Sequence, residues 1–237
     1  MVDFDTGRTL GLAGSILVLV AVIFSFIIGL LGSLLQLVGL ILILVSLHAF
    51  SNIYGERSIF RDALLSVLIG YGLPLVALII LLILLGFTIL TARPIPPGPP
   101  GGLEDLFGAQ IAGALVALIV IMFLVFLIAL VVAAYLWYRA LNTLYLRSGE
   151  KLFRWAGLSY LAFAASLIAG VVLAIVGAIT LVILIGILIL LLGALIVILG
   201  VLSGLASWVI LAIAFYQVKP PQPTIEAEAA PTPAVQV

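Results

Sequence analysis

Four stretches of this chain, residues 10–50, 63–92, 106–138 and 155–218, contain no aspartate, glutamate, lysine or arginine. Each exceeds the roughly 20 apolar residues that cross a hydrocarbon core about 30 Å thick. A soluble fold needs a polar outer layer, and only 8% of the whole chain is charged while 66% is hydrophobic, against roughly 25% and 45–50% in soluble domains. Backbone amides have no water partner in lipid, so the runs must form helices or closed barrel strands. Continuous apolarity without period-two alternation selects helices. The expected fold is all-α, a polytopic transmembrane helix bundle.

Residues 10–50 divide into spans of about 10–30 and 33–50 at the weak helix formers Gly29, Gly32 and Ser33, giving a tight hairpin. A polar stretch, Ser51 to Asp62, leads to a third span at about 62–91. Prolines and glycines between Arg93 and Gly102 prevent any helix from continuing and predict an extramembrane loop. Glu104 and Asp105 then stand where the dipole of a fourth helix, about 106–138, favours acids. Arg139 to Arg154 form a second polar connector. Residues 155–218 amount to about 96 Å of helix at about 1.5 Å per residue, divisible into two long spans, about 154–182 and 188–217, or three short ones. Residues 219–237, rich in proline, are expected to be a disordered tail.

Six spans place the N-terminus, both polar connectors and the C-terminus on one side. That side collects Arg8, Arg57, Arg61, Arg139, Arg147, Lys151, Arg154 and Lys219 and leaves only Arg93 opposite. The positive-inside rule makes it cytoplasmic and points to the cell (plasma) membrane, whereas a seventh span would carry Lys219 outside. Tyr135, Trp137, Tyr138, Tyr145, Trp155 and Tyr160 are expected at the cytoplasmic interface, where amphipathic rings settle. The uncharged first run is too long for a signal-peptide core of about 7–15 residues and reads as an uncleaved span.

Several chemistries lack their residues. Net charge is zero, with the basic residues scattered among loops, so nucleic acid has no electrostatic footprint to bind. The absence of cysteine and the single histidine argue against thiolate or histidine metal sites and thiol nucleophiles. The spans hold no ionisable group except His48 near a helix end, so proton relays, carboxylate pairs and catalytic triads each lack a member. No catalytic, metal or cofactor-binding residue is assigned, and the expectation is a protein that is not an enzyme.

The two connectors resemble one another. Ala49-Phe-Ser-Asn-Ile-Tyr54 and Gly55-Glu-Arg-Ser-Ile-Phe-Arg61 match Ala140-Leu-Asn-Thr-Leu-Tyr145 and Gly149-Glu-Lys-Leu-Phe-Arg154. An offset of two helices forces the same orientation on both, a parallel repeat unlike the inverted repeats of many transporters. Basic residues at such places also snorkel to lipid phosphates. Alternatively, Tyr54, Glu56, Arg57, Arg61, Tyr145, Glu150, Lys151 and Arg154 form a paired docking surface for a membrane or cytoplasmic protein.

Within the membrane, Gln36 is the most polar side chain deep in the second span and can hydrogen-bond across helices. The segment Gly70, Tyr71, Gly72, Leu73, Pro74 is the other candidate. Pro74 lacks a backbone donor and clashes with the carbonyl four residues earlier, which kinks the helix or frees carbonyls for a solute. Gly186, Gly193 and Gly200 recur every seven residues, and Gly200 and Gly204 form a small-xxx-small pair. Such residues let helices approach closely, within one chain or between copies of a homo-oligomer.

The first hairpin, Tyr54 to Arg61, the run Phe153-Arg-Trp-Ala-Gly-Leu-Ser-Tyr160 and the closing Ile213-Ala-Phe-Tyr216 together resemble the archaeal and bacterial membrane-protein family catalogued as domain of unknown function 996. The resemblance spans about residues 7–218, implies an integral membrane protein and supplies no activity, cofactor or catalytic residue. Two functional readings follow. The first is a non-enzymatic scaffold or subunit presenting its connectors to partners from the bilayer. The second is a transporter or channel for a small apolar or weakly polar solute.

Overall fold

The computed structural model of the chain describes residues 3–91, 103–180 and 184–220. The expected proline-rich loop and nearly all of the expected disordered tail lie outside these residues. Among them are six helices long and apolar enough to cross a membrane and no strand. The order is α1 (Phe4–Ile27), α2 (Gly29–Ile53), α3 (Arg57–Val67), a π-helical turn (Leu68–Gly72), α4 (Leu73–Thr91), α5 (Leu103–Ser148), α6 (Lys151–Ile179) and α7 (Leu184–Gln217). The third span is α3, the π turn and α4 in succession. Residues 155–218 hold two helices, with α6 capped by Thr180.

Several helices run past the membrane limits drawn from charge. Helix α5 continues through Arg139 to Ser148 because Ala140, Leu141 and Leu144 fall on one face and are fully buried, so an amphipathic pattern takes over where the uniformly apolar one ends. The second connector thereby shrinks from a polar segment to the pair Gly149 and Glu150. Both connectors are the same turn: Gly55 and Gly149 adopt φ of 66° and 73°, a left-handed conformation that glycine takes without a Cβ clash. Glu56 and Glu150 follow as extended N-cap residues of α3 and α6.

The helices close a ring: α1 packs on α2, α2 on α3, α3 on α5, α5 on α6, α6 on α7 and α7 on α1. Two of these pairs are hairpins held by glycine. A Cβ added to Gly39 would stand 2.7 Å from Val18 Cγ2 and 2.9 Å from the Gly14 carbonyl oxygen. A Cβ on Gly170 would reach 2.9 Å from the Gly193 oxygen, and one on Gly193 3.0 Å from the Gly170 oxygen. The glycines at 193, 200 and 204 therefore face α6. A single residue, Ile28, turns α1 into α2.

The buried core lies toward the connector end. Phe215 stacks on Phe50 at 5.9 Å and meets Phe153 edge-on at 5.3 Å, surrounded by Leu47, Ile59, Leu141 and Leu211. Toward the other end the outer faces carry exposed leucine and isoleucine, such as Leu30, Ile83, Leu124 and Leu188, the surface that lipid covers.

Valine in place of Gly14 or Gly193 is expected to destabilise the bundle by about 1–3 kcal/mol, since backbone blocks the new side chain. Thermal melting in detergent measures this, and Gly29→Ala, with nothing within 4 Å of its added methyl, should leave the transition unchanged.

Candidate functional site

Inside the ring, just beyond the packed core, lies a cavity of about 330 Å³. Its floor is Trp137 and Trp208, whose rings sit 5.7 Å apart. Tyr160 leans on both, at 6.2 and 6.0 Å, and Phe163 follows at 5.8 Å. Ser66, Gly70, Tyr71 and Pro74 from the third span, with Phe126, Leu130 and Ala133 from α5, complete the wall. A second cavity of about 250 Å³ shares Tyr71, Tyr160, Phe163 and Trp208 and extends toward Val22, Gln36, Val201 and Leu205.

Trp137 and Tyr160, expected among the interfacial aromatics, turn toward the interior of the bundle. Trp137 is only 2% exposed, and both rings face the cavity. The reason is helical phase: Ala133, Trp137, Ala140 and Leu144 share the inward face of α5, while Tyr135 points out and is exposed. Hydropathy alone does not separate those faces. Among the described residues the indole Nε1 of Trp137 has no hydrogen-bond partner although it is buried. An unpaired buried donor costs about 1–3 kcal/mol.

At Gly70 to Pro74 the helix does not break. The chain widens into a π turn in which the amide of Leu73 donates to the Leu68 carbonyl, five residues back. This wider turn absorbs the donor missing at Pro74 and lets α4 continue. Such π turns concentrate at functional sites. Here the turn holds Tyr71 against the cavity, and the phenol accepts a 2.8 Å hydrogen bond from the Gln36 side-chain amide on α2.

A third recess, about 330 Å³, lies on the other side of that bond, between α2 and the third span, and is lined by Ser33, Leu37, Ile41 and Leu75. Gln36, Leu40, Val67 and Tyr71 border both this outward recess and the interior cavities. Two apolar contacts and one hydrogen bond thus separate the bundle's interior from its lipid-facing flank. Gly72 does not line either space.

The connector residues gather less tightly than their sequence repeat suggests. Glu56 accepts 2.7 and 2.9 Å hydrogen bonds from Arg147 and Ser58, so an arginine outside the repeat clasps the two connectors together. Tyr54 caps α2, stacks on Phe50 at 6.1 Å and donates a 3.3 Å hydrogen bond to the Lys219 carbonyl. Glu150 accepts from the Leu152 amide at 3.3 Å, and Tyr145 packs half-buried on the core. Arg57, Lys151 and Arg154 are exposed. His48 meets Phe60 edge-on at 4.7 Å and lies 3.3 Å from Asn52 Nδ2.

One ionisable group escaped the sequence reading. Asp62, at the end of the polar stretch, is 1% exposed within α3. Its oxygens lie 3.2 Å from Arg61 Nε and 3.0 Å from Arg139 Nε, the second an ion pair by distance without a well-aligned hydrogen bond. The signal was available: Asp62 and Ser66 are four residues apart on the face that meets α5, where Ser66 donates to the Ala133 carbonyl at 2.8 Å. Among the described residues no cluster of three or more His, Asp or Glu gathers.

Fold and cavity define a polytopic helical membrane protein with an aromatic-lined interior. The profile of the family described as "Protein of unknown function (DUF996)" matches residues 35–195, more than half of the chain, and the protein belongs to that family. The matched segment begins in α2 and ends within α7, inside the wider limits the motifs suggest. No curated protein and no solved structure matches the chain.

Glu56 lies outside the spans, and the Arg147 guanidinium, then the Ser58 hydroxyl, hold its carboxyl below its ordinary range. A depressed folded-state value contributes stability above the unfolded value and loses it as pH falls through the folded one. Arg147→Gln should therefore lower amide-exchange protection at residues 55–58 at neutral pH. The difference from wild type should vanish once the pH drops below the carboxylate range, and equal protection at pH 7 would dismiss the clasp.

Proposed function

We propose that the protein is a non-enzymatic, multi-pass protein of the cell membrane that holds a small apolar or weakly polar molecule in its mid-bundle cavity. The observation carrying this reading is the aromatic-lined space itself, with the rings of Trp137, Tyr160 and Trp208 in its wall. Its volume falls within the roughly 300–1,000 Å³ typical of small-molecule sites. Mostly apolar walls suit a lipophilic body. The ligand passes between cavity and bilayer at Gln36 and Tyr71, where their hydrogen bond, beside Leu40 and Val67, closes the gap between α2 and the third span. Such bonds in membranes contribute about 0.6 kcal/mol on average and 1.7 at most, little enough to open thermally. This reading invokes no cofactor.

The charge bias supports a reading with both termini and both connectors in the cytoplasm. A second reading, the scaffold or subunit role, draws on that end: the core beneath it is packed, and Arg57, Lys151 and Arg154 lie exposed on it. The geometry ranks it second because the clasp spends Glu56 and Arg147 on each other.

Purified protein in liposomes should bind members of a lipophilic solute panel and quench its tryptophan emission on doing so. Leu130→Trp, which fills the cavity, should weaken binding at least about tenfold, roughly 1.4 kcal/mol, without lowering the melting temperature. Tyr71→Phe should speed both uptake and release. A panel that neither binds nor crosses, for wild type and variants alike, would sink the cavity reading.

For the scaffold reading, photo-crosslinkers at residues 55–61 and 147–154 in cells should capture one recurrent protein, lost on Arg57→Glu. Recovery of lipid alone would count against it.

A further inference from the structure

We propose that the second connector carries a binding site for the phosphate headgroup of an anionic phospholipid, formed by Tyr145, Lys151, Arg154 and Trp155. These side chains, with Leu158, line an outward recess of about 380 Å³ between the end of α5 and the first two turns of α6. On α6 the residues stand at positions i, i+3, i+4 and i+7, one face of a helix. The opposite face, with Phe153, Ala156 and Gly157, is buried in the bundle. The recess is therefore separate from the central cavity and faces away from it.

A comparison of the two connectors shows why this face needs an anion. In the first, Arg61 is followed by Asp62, whose carboxylate lies 3.2 Å from its Nε and which Arg139 also approaches. The corresponding arginine of the second, Arg154, is followed by Trp155. Where the first copy has its own counter-ion, the second has an aromatic ring that is 60% exposed. Among the described residues Lys151 and Arg154 form no ion pair. The nearest acid in sequence, Glu150, directs its carboxylate to the Leu152 amide at 3.3 Å. Two like charges thus share one helical face with no internal anion, an arrangement that a bound anion relieves.

The same features choose the source of that anion. Lysine and arginine give a phosphate a point charge and a bidentate fork. The tyrosine hydroxyl adds a donor. An exposed tryptophan suits the headgroup level of a bilayer, where its ring is amphipathic like its surroundings, and Lys151 opens a span running to Ile179. Leu158, one turn further in, lies where the glycerol and upper acyl chains would be. Basic pockets between transmembrane helices hold anionic headgroups in this way. A soluble phosphate would meet the charges and leave the apolar part of the recess without a use.

The test is retention of lipid by the full-length protein in native mass spectrometry. The protein is loaded with phosphatidylglycerol, or with phosphatidylcholine of the same acyl chains. Phosphatidylglycerol should be retained over phosphatidylcholine. Lys151→Gln with Arg154→Gln should cut its retention about thirty-fold, from roughly fivefold for each basic residue at a membrane surface. Trp155→Asp, which installs the first connector's counter-ion, should also abolish retention although both cations remain. Arg57→Gln, a control cation of the first connector, should leave it unchanged. All four positions are exposed, and an unchanged melting temperature confirms that each variant folds. Equal retention of the two lipids, full retention by the double variant, or displacement by inorganic phosphate at the lipid's own concentration would each overturn the proposal.

Discussion

In a bilayer two apolar helices gain little from touching, because lipid tails are as apolar as their side chains. Association has to come from close packing and from hydrogen bonds between helices. That constraint explains why the rest of this structure hangs on two glycine pairs. Gly14 with Gly39, and Gly170 with Gly193, let backbones approach so closely that each added Cβ would stand 3.0 Å or less from the partner's carbonyl oxygen. The hairpins α1–α2 and α6–α7 are the rigid sides of the ring. Among the described residues, the pair between them, the third span with α5, has no comparable glycine contact: a Cβ on Gly70 would only brush Ala133 at 3.2 Å, and Gly72 has open space around it. Large aromatic side chains stand there instead. The cavity is thus the space left where one side of the ring is held by rings and the other two by backbones.

Polar groups follow the same logic. Each buried hydroxyl on α7 that faces α6 finds a carbonyl, Ser203 that of Ser159 at 2.9 Å and Ser207 that of Ala156 at 2.7 Å. Ser66 does the same between the third span and α5. These bonds tie helices whose side chains alone would slide. Asp62 is the costly version, a carboxylate at 1% exposure paired with two guanidiniums that remain largely in the polar zone. Removing a partner from such a group is far worse than never having buried it. Among the described residues three buried polar atoms stay without a hydrogen bond, Ser46 Oγ, Asp62 Oδ2 and the Trp137 indole Nε1.

Much of the fold was legible because a bilayer permits so few solutions. Charge-free runs of this length have to be helices, and the basic residues favour six spans over seven. Gln36 and Tyr71 stood out because polar atoms are rare at their depth. What stayed hidden was phase and context. Trp137 and Tyr160 look like interfacial anchors when position along the chain is all one has, yet α5 and α6 turn them inward. Asp62 looks like the last residue of a solvated connector. It is buried because α3 starts five residues earlier, at Arg57, and presents that face to α5. Pro74 announces a distortion, but whether it becomes a break, a kink or a π turn depends on the Leu73 amide finding the Leu68 carbonyl, which the neighbouring helices decide.

The repeated connector separates what a turn needs from what a site needs. Both copies keep a left-handed glycine and a glutamate that opens the next helix, and this is the part that geometry demands of two helices reversing within three residues in the first copy and two in the second. Around that shared frame the charges have been used differently. In the first copy Glu56 and Asp62 are committed to arginines of α5 and of their own helix, so the connector is closed electrostatically by the fold. In the second, Glu150 is committed to a backbone amide, and the position following the arginine carries Trp155 instead of an acid. The asymmetry has a direction: one connector satisfies its cations from within and serves to hold the ring together. The other leaves two cations and an exposed ring facing outward at the start of the candidate span Lys151–Ile179.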